Sequence, residues 1–314
     1  MDNAAVLIQK LGNSNDYFER QKVAWALVGL GEAAVDVLVN ALKTGEFSDL
    51  RYKAAWALGK IGSPRAIEPL GDALLNDSDY VVREWSAAAI EAMNNPLAVP
   101  YLAKAIRSDS SRDVRLRAAV ALRNLGAAGA LMDLLKSPEP EIRGMAITGL
   151  AKIKHSAAQD EVACFIRDED IEVRRRATAF MGELASNNVL GILDEALKDS
   201  EPIVRIEALK SLAQIKGERA CNLALTALLD EDYGVRLKAV TTLGEIGHSS
   251  AVDHLVEVMF GEDEEEIRAW SAWSLGEIRD ERAVEHLRKA YKTCPMEIMK
   301  MARESLVEVF KLEP

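Results

Sequence analysis

Four histidines, three cysteines and a recurring set of arginines and carboxylates hold whatever acid–base, metal or nucleophilic chemistry this chain can do. His254 and His286 stand 32 residues apart, beside Asp253 and Glu285, and these are residue types that ligate metals. If the two lie on neighbouring helices, the axes are roughly 8–10 Å apart, too far for both imidazoles to reach one zinc at about 2 Å. The equivalent slot elsewhere holds Pro69, so variation in a structural slot accounts for them better and no metal is expected. Cys164 and Cys221 sit among apolar residues and read as small buried hydrophobes, while Cys294 sits in a turn sequence before Pro295. None has a histidine or carboxylate at a nucleophilic spacing, and no phosphate-binding glycine loop or serine elbow occurs. No catalytic residue and no cofactor are expected.

The arginines are different, because they recur. Arg20, Arg51, Arg83, Arg115, Arg143, Arg174, Arg205, Arg236 and Arg268 follow one another at intervals of 31, 32, 32, 28, 31, 31, 31 and 32, and Met299 takes the tenth place in register. A catalytic group has no reason to return in every layer. Acids stand four residues before many of these arginines (Asp16, Asp79, Glu139, Asp170, Glu201, Asp232, Glu264), so a ladder of Arg–carboxylate contacts combined with helix caps explains both sets.

The elements that must carry this ladder are helices. Seven residues after each arginine the chain is apolar: Leu27, Leu58, Ile90, Leu122, Leu150, Met181, Leu212, Leu243, Leu275 and Leu306. Ten residues after, it is apolar again, and three residues after stand small side chains such as Ala54, Ser86 and Ala118. Offsets of −1, +3, +7 and +10 share one face of a 3.6-residue helix and would scatter on a strand. A second amphipathic stretch precedes each, with apolar pairs such as Leu38/Leu42, Leu70/Leu74 and Leu255/Met259. The small residue at +3 is expected to let successive arginine helices pack closely. The pattern predicts an all-α fold: an α-solenoid of about ten helical hairpins.

One face of the arginine helix, at offsets +2, +5 and +9, lies opposite the packing stripe. All five tryptophans of the chain fall on it: Trp25, Trp56, Trp85, Trp270 and Trp273. Tryptophan is enriched at binding hot spots, so contact with a partner is one reading; cover by neighbouring layers is the other. Arg117, Lys152 and Arg176 lie on the same face and would supply charge between the aromatics.

The segment Arg51 to Arg83, RYKAAWALGKIGSPRAIEPLGDALLNDSDYVVR, resembles the HEAT-like repeat of phycobilisome bilin lyases, with its VR, paired alanines, ALG-x-IG and A-x-x-PL. The resemblance extends over all ten repeats. It implies a solenoid with a concave groove, and as an alternative function a lyase or chromophore-handling subunit whose tryptophans would stack on tetrapyrrole rings. Relatives that resemble deoxyhypusine hydroxylase hold iron through His-Glu pairs; this chain contains no His-Glu dipeptide.

Charge narrows the partner class. The net charge of −11 argues against non-specific nucleic-acid binding, and so against a HEAT-like DNA-repair role. Residues 1–154 hold 19 Lys+Arg against 18 Asp+Glu, and residues 155–314 hold 20 against 32. The switch lies just beyond the short 28-residue interval, where Leu125-Gly126-Ala127-Ala128-Gly129-Ala130 has lost the usual loop. One solenoid over 1–314 is expected, with two arcs at 1–154 and 155–314; a harmless deletion in a tolerant loop is the alternative reading of the short interval. No apolar run nears the ~18 residues of a membrane span. The odd, scattered cysteines fit a reduced compartment, so a cytoplasmic protein is expected. The function expected is non-catalytic binding of a protein partner in the groove, as an interaction or scaffold module.

Overall fold

The computed structural model describes residues 3–13 and 16–313. Among these the chain is all α-helical, with short 3-10 and π turns and no strand. It divides into two compact units, Met1–His155 and Ser156–Pro314. The first contains α1 (Asn3–Asn13), α2 (Tyr17–Gly29), α3 (Val35–Thr44), α4 (Ser48–Ile61), α5 (Ile67–Asn76), α6 (Tyr80–Met93), α7 (Val99–Ser108), α8 (Arg112–Asn124), α9 (Ala128–Leu134) and α10 (Pro140–Lys152). The second contains α11 (Gln159–Ala163), α12 (Ile171–Leu184), α13 (Leu190–Ala196), α14 (Pro202–Ile215), α15 (Gly217–Thr226), α16 (Tyr233–Ile246), α17 (Val252–Phe260), α18 (Glu265–Ile278), α19 (Arg282–Thr293) and α20 (Met296–Glu304). Each even-numbered helix carries a repeated arginine or, in α20, Met299. With the helix before it, each forms one hairpin, ten in all: an α-solenoid.

Local chemistry sets the hairpin ends. Asp16, Asp79, Asp170 and Asp232 occupy the N-cap of their arginine helices and accept backbone N–H bonds from the first turn. Such a bond satisfies donors that the helix itself cannot. Pro140 and Pro202 take the first helical position, where a missing N–H costs nothing. Gly62 and Gly247 close α4 and α16 in the left-handed conformation (φ 75° and 73°), which a side chain would strain.

The core follows the predicted stripe. All ten residues at offset +7 are buried, as are the apolar pairs of the preceding helices. Within each unit the arginine helices pack far more closely on one another than the odd-numbered helices do on theirs. The arginine helices therefore form the inner layer of each unit. A close approach that the spacing did not single out lies between a glycine at +8 and a small residue at +6 of the next repeat. A Cβ on Gly59 would lie 2.7 Å from Ala89 Cα, and one on Gly182 or Gly244 would lie 2.9 Å from Ser211 or Ser274 Cα. In the second unit the serine of that pair also reaches back across the interface. Ser211, Ser274 and Ser305 Oγ donate to the carbonyls of Thr178, Val240 and Ala272. The residues at +3 are buried as well.

The repeated arginines build a ladder, with a correction to its wiring. In Arg51, Arg83, Arg115, Arg143, Arg174, Arg205 and Arg236, Nη1 donates to two carbonyls in the loop of its own hairpin, as Arg83 does to Asp77 O at 2.9 Å and Ser78 O at 3.3 Å. Nε and Nη2 grip a carboxylate of the next repeat: Arg51 on Asp77, Arg83 on Asp109, Arg174 on Asp199, Arg205 on Asp230 and Arg236 on Asp263. Where the acid four residues before the arginine is an aspartate it is occupied as a cap; Glu264 instead pairs with Arg236 of the repeat before. Arg20 and Arg115 meet Asp49 and Glu141 instead, carboxylates inside the next arginine helix. Their Nε atoms are buried without an acceptor.

At the short interval, α9 is only seven residues long and enters directly from Gly126, which has φ 63°. Of the cysteines, Cys221 is buried, Cys294 is half-buried and Cys164 is exposed. Cys164 is therefore not the buried hydrophobe its apolar neighbours suggest, because it sits on the outer side of a short 3-10 turn (Cys164–Arg167).

Candidate functional site

The inner layer of the first unit gathers the aromatic residues. Trp25 on α2 and Trp56 on α4 share offset +5 in successive repeats, so lateral stacking of the helices brings their rings together. Their centroids are 4.9 Å apart and the planes cross at 86°, an edge-to-face pair. Trp85 on α6, at offset +2, stacks on Tyr52 of α4 at 6.1 Å and 26°. None of the five tryptophans is buried. Trp25 and Trp85 are 53% and 39% exposed, far beyond what a core side chain shows, and the other three are half-buried.

Between Trp56 and Trp85 lies a cleft of about 260 Å³. Its floor is made of Gly59, Ala88, Ala89 and Ala92, and its rim carries Lys60, Glu91 and Arg117. The cleft exists because the face that carries indoles at Trp25 and Trp56 carries only methyls at Ala88 and Ala92. Gly59, forced by the close approach to Ala89, deepens it. Arg117 of α8 stands between Glu84 and Glu91, 3.7 Å from each. Asn124 also donates to Glu91 Oε1. Lys22 and Lys60 are exposed on the same layer and have no carboxylate partner among the described residues. Lys53, expected on the open face, is buried: its ammonium donates to Gln21 Oε1 at 3.1 Å and lies 5.1 Å from the Tyr52 ring. Burial pushes its pKa below the usual lysine range. Met145 is likewise buried rather than open.

The other expected site residues stand apart from this cluster. Lys152 is exposed at the end of α10 and does not line the cleft. In the second unit, Arg176 pairs with Glu172 one turn earlier at 2.8 Å. Glu172 is held down to about 2, by Arg175 first and Arg176 next. Trp270 and Trp273 form their own edge-to-face pair on α18, with centroids 5.4 Å apart. His254 and His286 are exposed on α17 and α19.

Sequence reasoning missed Tyr52, which lies at offset +1, just outside the inspected face, and so escaped the search. It also missed the small-residue floor. The legible signal there was the change from tryptophan to alanine at offset +5 between Trp56 and Ala88.

Comparison with known proteins agrees with this architecture. The family model of HEAT repeats matches residues 4–91, 67–136, 99–166, 128–213, 162–233 and 222–307. The chain belongs to the HEAT-repeat family. What the match shows is the HEAT repeat at large. No curated protein matches significantly. Among solved structures, Kap95p bound to RanGDP is similar at 14% identity and TM-score 0.64, over 98% of this chain and 48% of that one. A Kap95:Nup1 complex is similar at 15% identity and TM-score 0.63, over 98% and 49%. Importin beta is similar at 15% identity and TM-score 0.55, over 99% and 56%. The chain spans about half the length of these relatives, and at such identities the likeness is one of fold. No helix is long and apolar enough to cross a membrane among the described residues.

Proposed function

We propose that this protein is a non-catalytic interaction module that binds a protein partner on the inner layer of its first unit. The observation that carries this reading is the aromatic cluster of Trp25, Trp56 and Trp85, left open to solvent around a cleft. Leaving Trp25 and Trp85 exposed and Trp56 half-exposed gains little of the stability a buried indole supplies, whereas a partner that buries them gains hot-spot contacts. The HEAT solenoid is a fold that protein-interaction scaffolds use, and the Kap95p relatives were solved with RanGDP and with Nup1. Trp270 and Trp273 in the second unit, with Arg117, Lys152 and Arg176, are proposed as further contact residues.

Affinity capture from native lysate tests the reading, with the wild type and a Trp56→Ala/Trp85→Ala variant as parallel baits. Proteins retained by the first and lost by the second, at equal bait helicity, are the expected outcome. Identical capture by both baits contradicts it.

A further inference from the structure

We propose that the cleft between Trp56 and Trp85 receives one apolar or aromatic side chain from an acidic segment of the partner, whose carboxylates meet Lys60 at the rim and Lys22 one helix away. This rests on the reading of the inner layer as a partner-binding face and specifies its chemistry. Three features of the cleft select that occupant.

The first is size. A volume of about 260 Å³ falls below the ~300–1,000 Å³ of pockets that enclose cofactors and drug-sized ligands, and suits a single side chain. The second is the lining: two indole walls over a floor of glycine and alanine offer no buried polar group, so the inserted group is apolar. The third is charge. The acids nearest the cleft are already engaged, Glu84 by Arg117 and Glu91 by Arg117 and Asn124. Three cations, Lys22, Lys60 and Arg117, stand against these two acids, and Lys22 and Lys60 are the ones in no ion pair among the described residues. A basic segment would set cation against cation, and an acidic one completes two ion pairs.

Spacing adds a pattern. Lys22 lies at offset +2 of α2 and Lys60 at offset +9 of α4. Seven residues of helix separate them by about 10 Å along the axis, and one helix spacing adds roughly 8–10 Å across. An extended strand advances about 3.3 Å per residue, so the two acids stand about four residues apart, with the apolar anchor just beyond the acid at Lys60, the lysine that rims the cleft. A single-stranded nucleic acid also stacks on indoles, but it needs a continuous basic track along its backbone. Two lysines separated by tryptophans do not make one.

Fluorescence anisotropy with labelled short peptides tests this on the full-length protein. One peptide carries two acidic residues in that spacing, with phenylalanine next to one of them on the outer side. A second replaces the phenylalanine with alanine, and a third replaces the acids with lysines. The first is expected to bind and to quench indole emission, and the other two to bind at least about tenfold more weakly. Lys22→Glu/Lys60→Glu should weaken the acidic peptide by about tenfold or more and reverse the preference toward the basic one. Both side chains are exposed, and circular dichroism verifies that the variant folds. Tighter binding of the basic peptide, no binding of the acidic one at millimolar concentration, or easier displacement by an equimolar oligothymidylate than by unlabelled peptide overturns the inference. The lysate capture separates the two levels. Partners lost with Trp56→Ala/Trp85→Ala but kept with Lys22→Glu/Lys60→Glu defeat the acidic-segment proposal alone. Partners kept by both variants defeat the face itself.

Discussion

Each ladder arginine serves two hairpins with one guanidinium, and this is why lysine would not replace it. A planar fork can satisfy two loop carbonyls on one edge and a carboxylate on the other, which a point charge on a flexible stem cannot. Arg83 and Asp109 are nearly buried, with side-chain exposures of 12% and 5%. Arg83→Ala therefore strands a buried carboxylate and should cost about 3 kcal/mol in urea unfolding. Arg268→Ala should cost about 1 kcal/mol, since Arg268 only donates to Met259 O. Equal losses at the two sites would refute the ladder account. The recurrence of arginine was plain in the sequence, but its partner was not. Proximity pointed to the acid four residues upstream, which caps its own helix where it is an aspartate, and the partner lies some 25–27 residues on. The ion pairs also set a pH dependence. Asp79, Glu141, Glu172 and Asp280 all sit below the ordinary carboxylate range, Asp79 through the Val81 N–H and the others through arginines. A folded pKa below the unfolded one contributes stability that is complete above the unfolded value and lost as pH falls through the folded one. Stability should hold near neutrality and decline from about pH 4.5 toward 2, the span over which Glu172 is shifted. Glu172→Gln should remove less than about 1 kcal/mol of that decline, because the pair is half-exposed. Denaturant midpoints across this range measure it, and an acid-insensitive wild type would contradict the assignment.

Beside the buried +7 column, successive arginine helices approach backbone to backbone at a glycine. Where Gly244 meets Ser274, an added Cβ would lie 2.8 Å from Oγ and 2.9 Å from Cα. Alanine is the better helix former by about 1 kcal/mol, yet Gly244→Ala should destabilise by about 1–3 kcal/mol through overpacking. Gly191→Ala, with nothing within 4 Å of the new methyl, should stabilise by about 0.5 kcal/mol. A pair of thermal melts decides between packing and propensity, and stabilisation at both positions would remove the packing argument. The helical period, the hairpins and the buried +7 column were all legible from spacing. The +8/+6 contact was not, because glycine inside a helix pattern reads as a weakness until the neighbouring backbone is in place. The same blindness hid the cleft: its floor is written in alanines, which carry no chemical signal of their own.

At the scale of the whole chain, repetition means that each layer protects the next. Ala302, Ser305 and Leu306 of the last hairpin are buried, and Gly276 of α18 lies directly under Ser305. Arg303 stands exposed at offset +4, where the earlier repeats place mostly buried small or apolar residues. Deleting residues 281–314 should uncover the α18 face and produce aggregates on size-exclusion chromatography. A monomeric, equally stable truncation would contradict this. The functional account rests on aromatic residues that stability does not require. Trp56→Ala/Trp85→Ala should cost only about 1–2 kcal/mol of stability, the scale of aromatic pairs and partial burial, against about 3–5 kcal/mol for each buried indole. The decisive measurement is calorimetric titration of a captured partner into the wild type and this variant. The account predicts affinity weaker by roughly 2 kcal/mol or more for each indole removed, with helicity unchanged; unchanged affinity in a folded variant would contradict it.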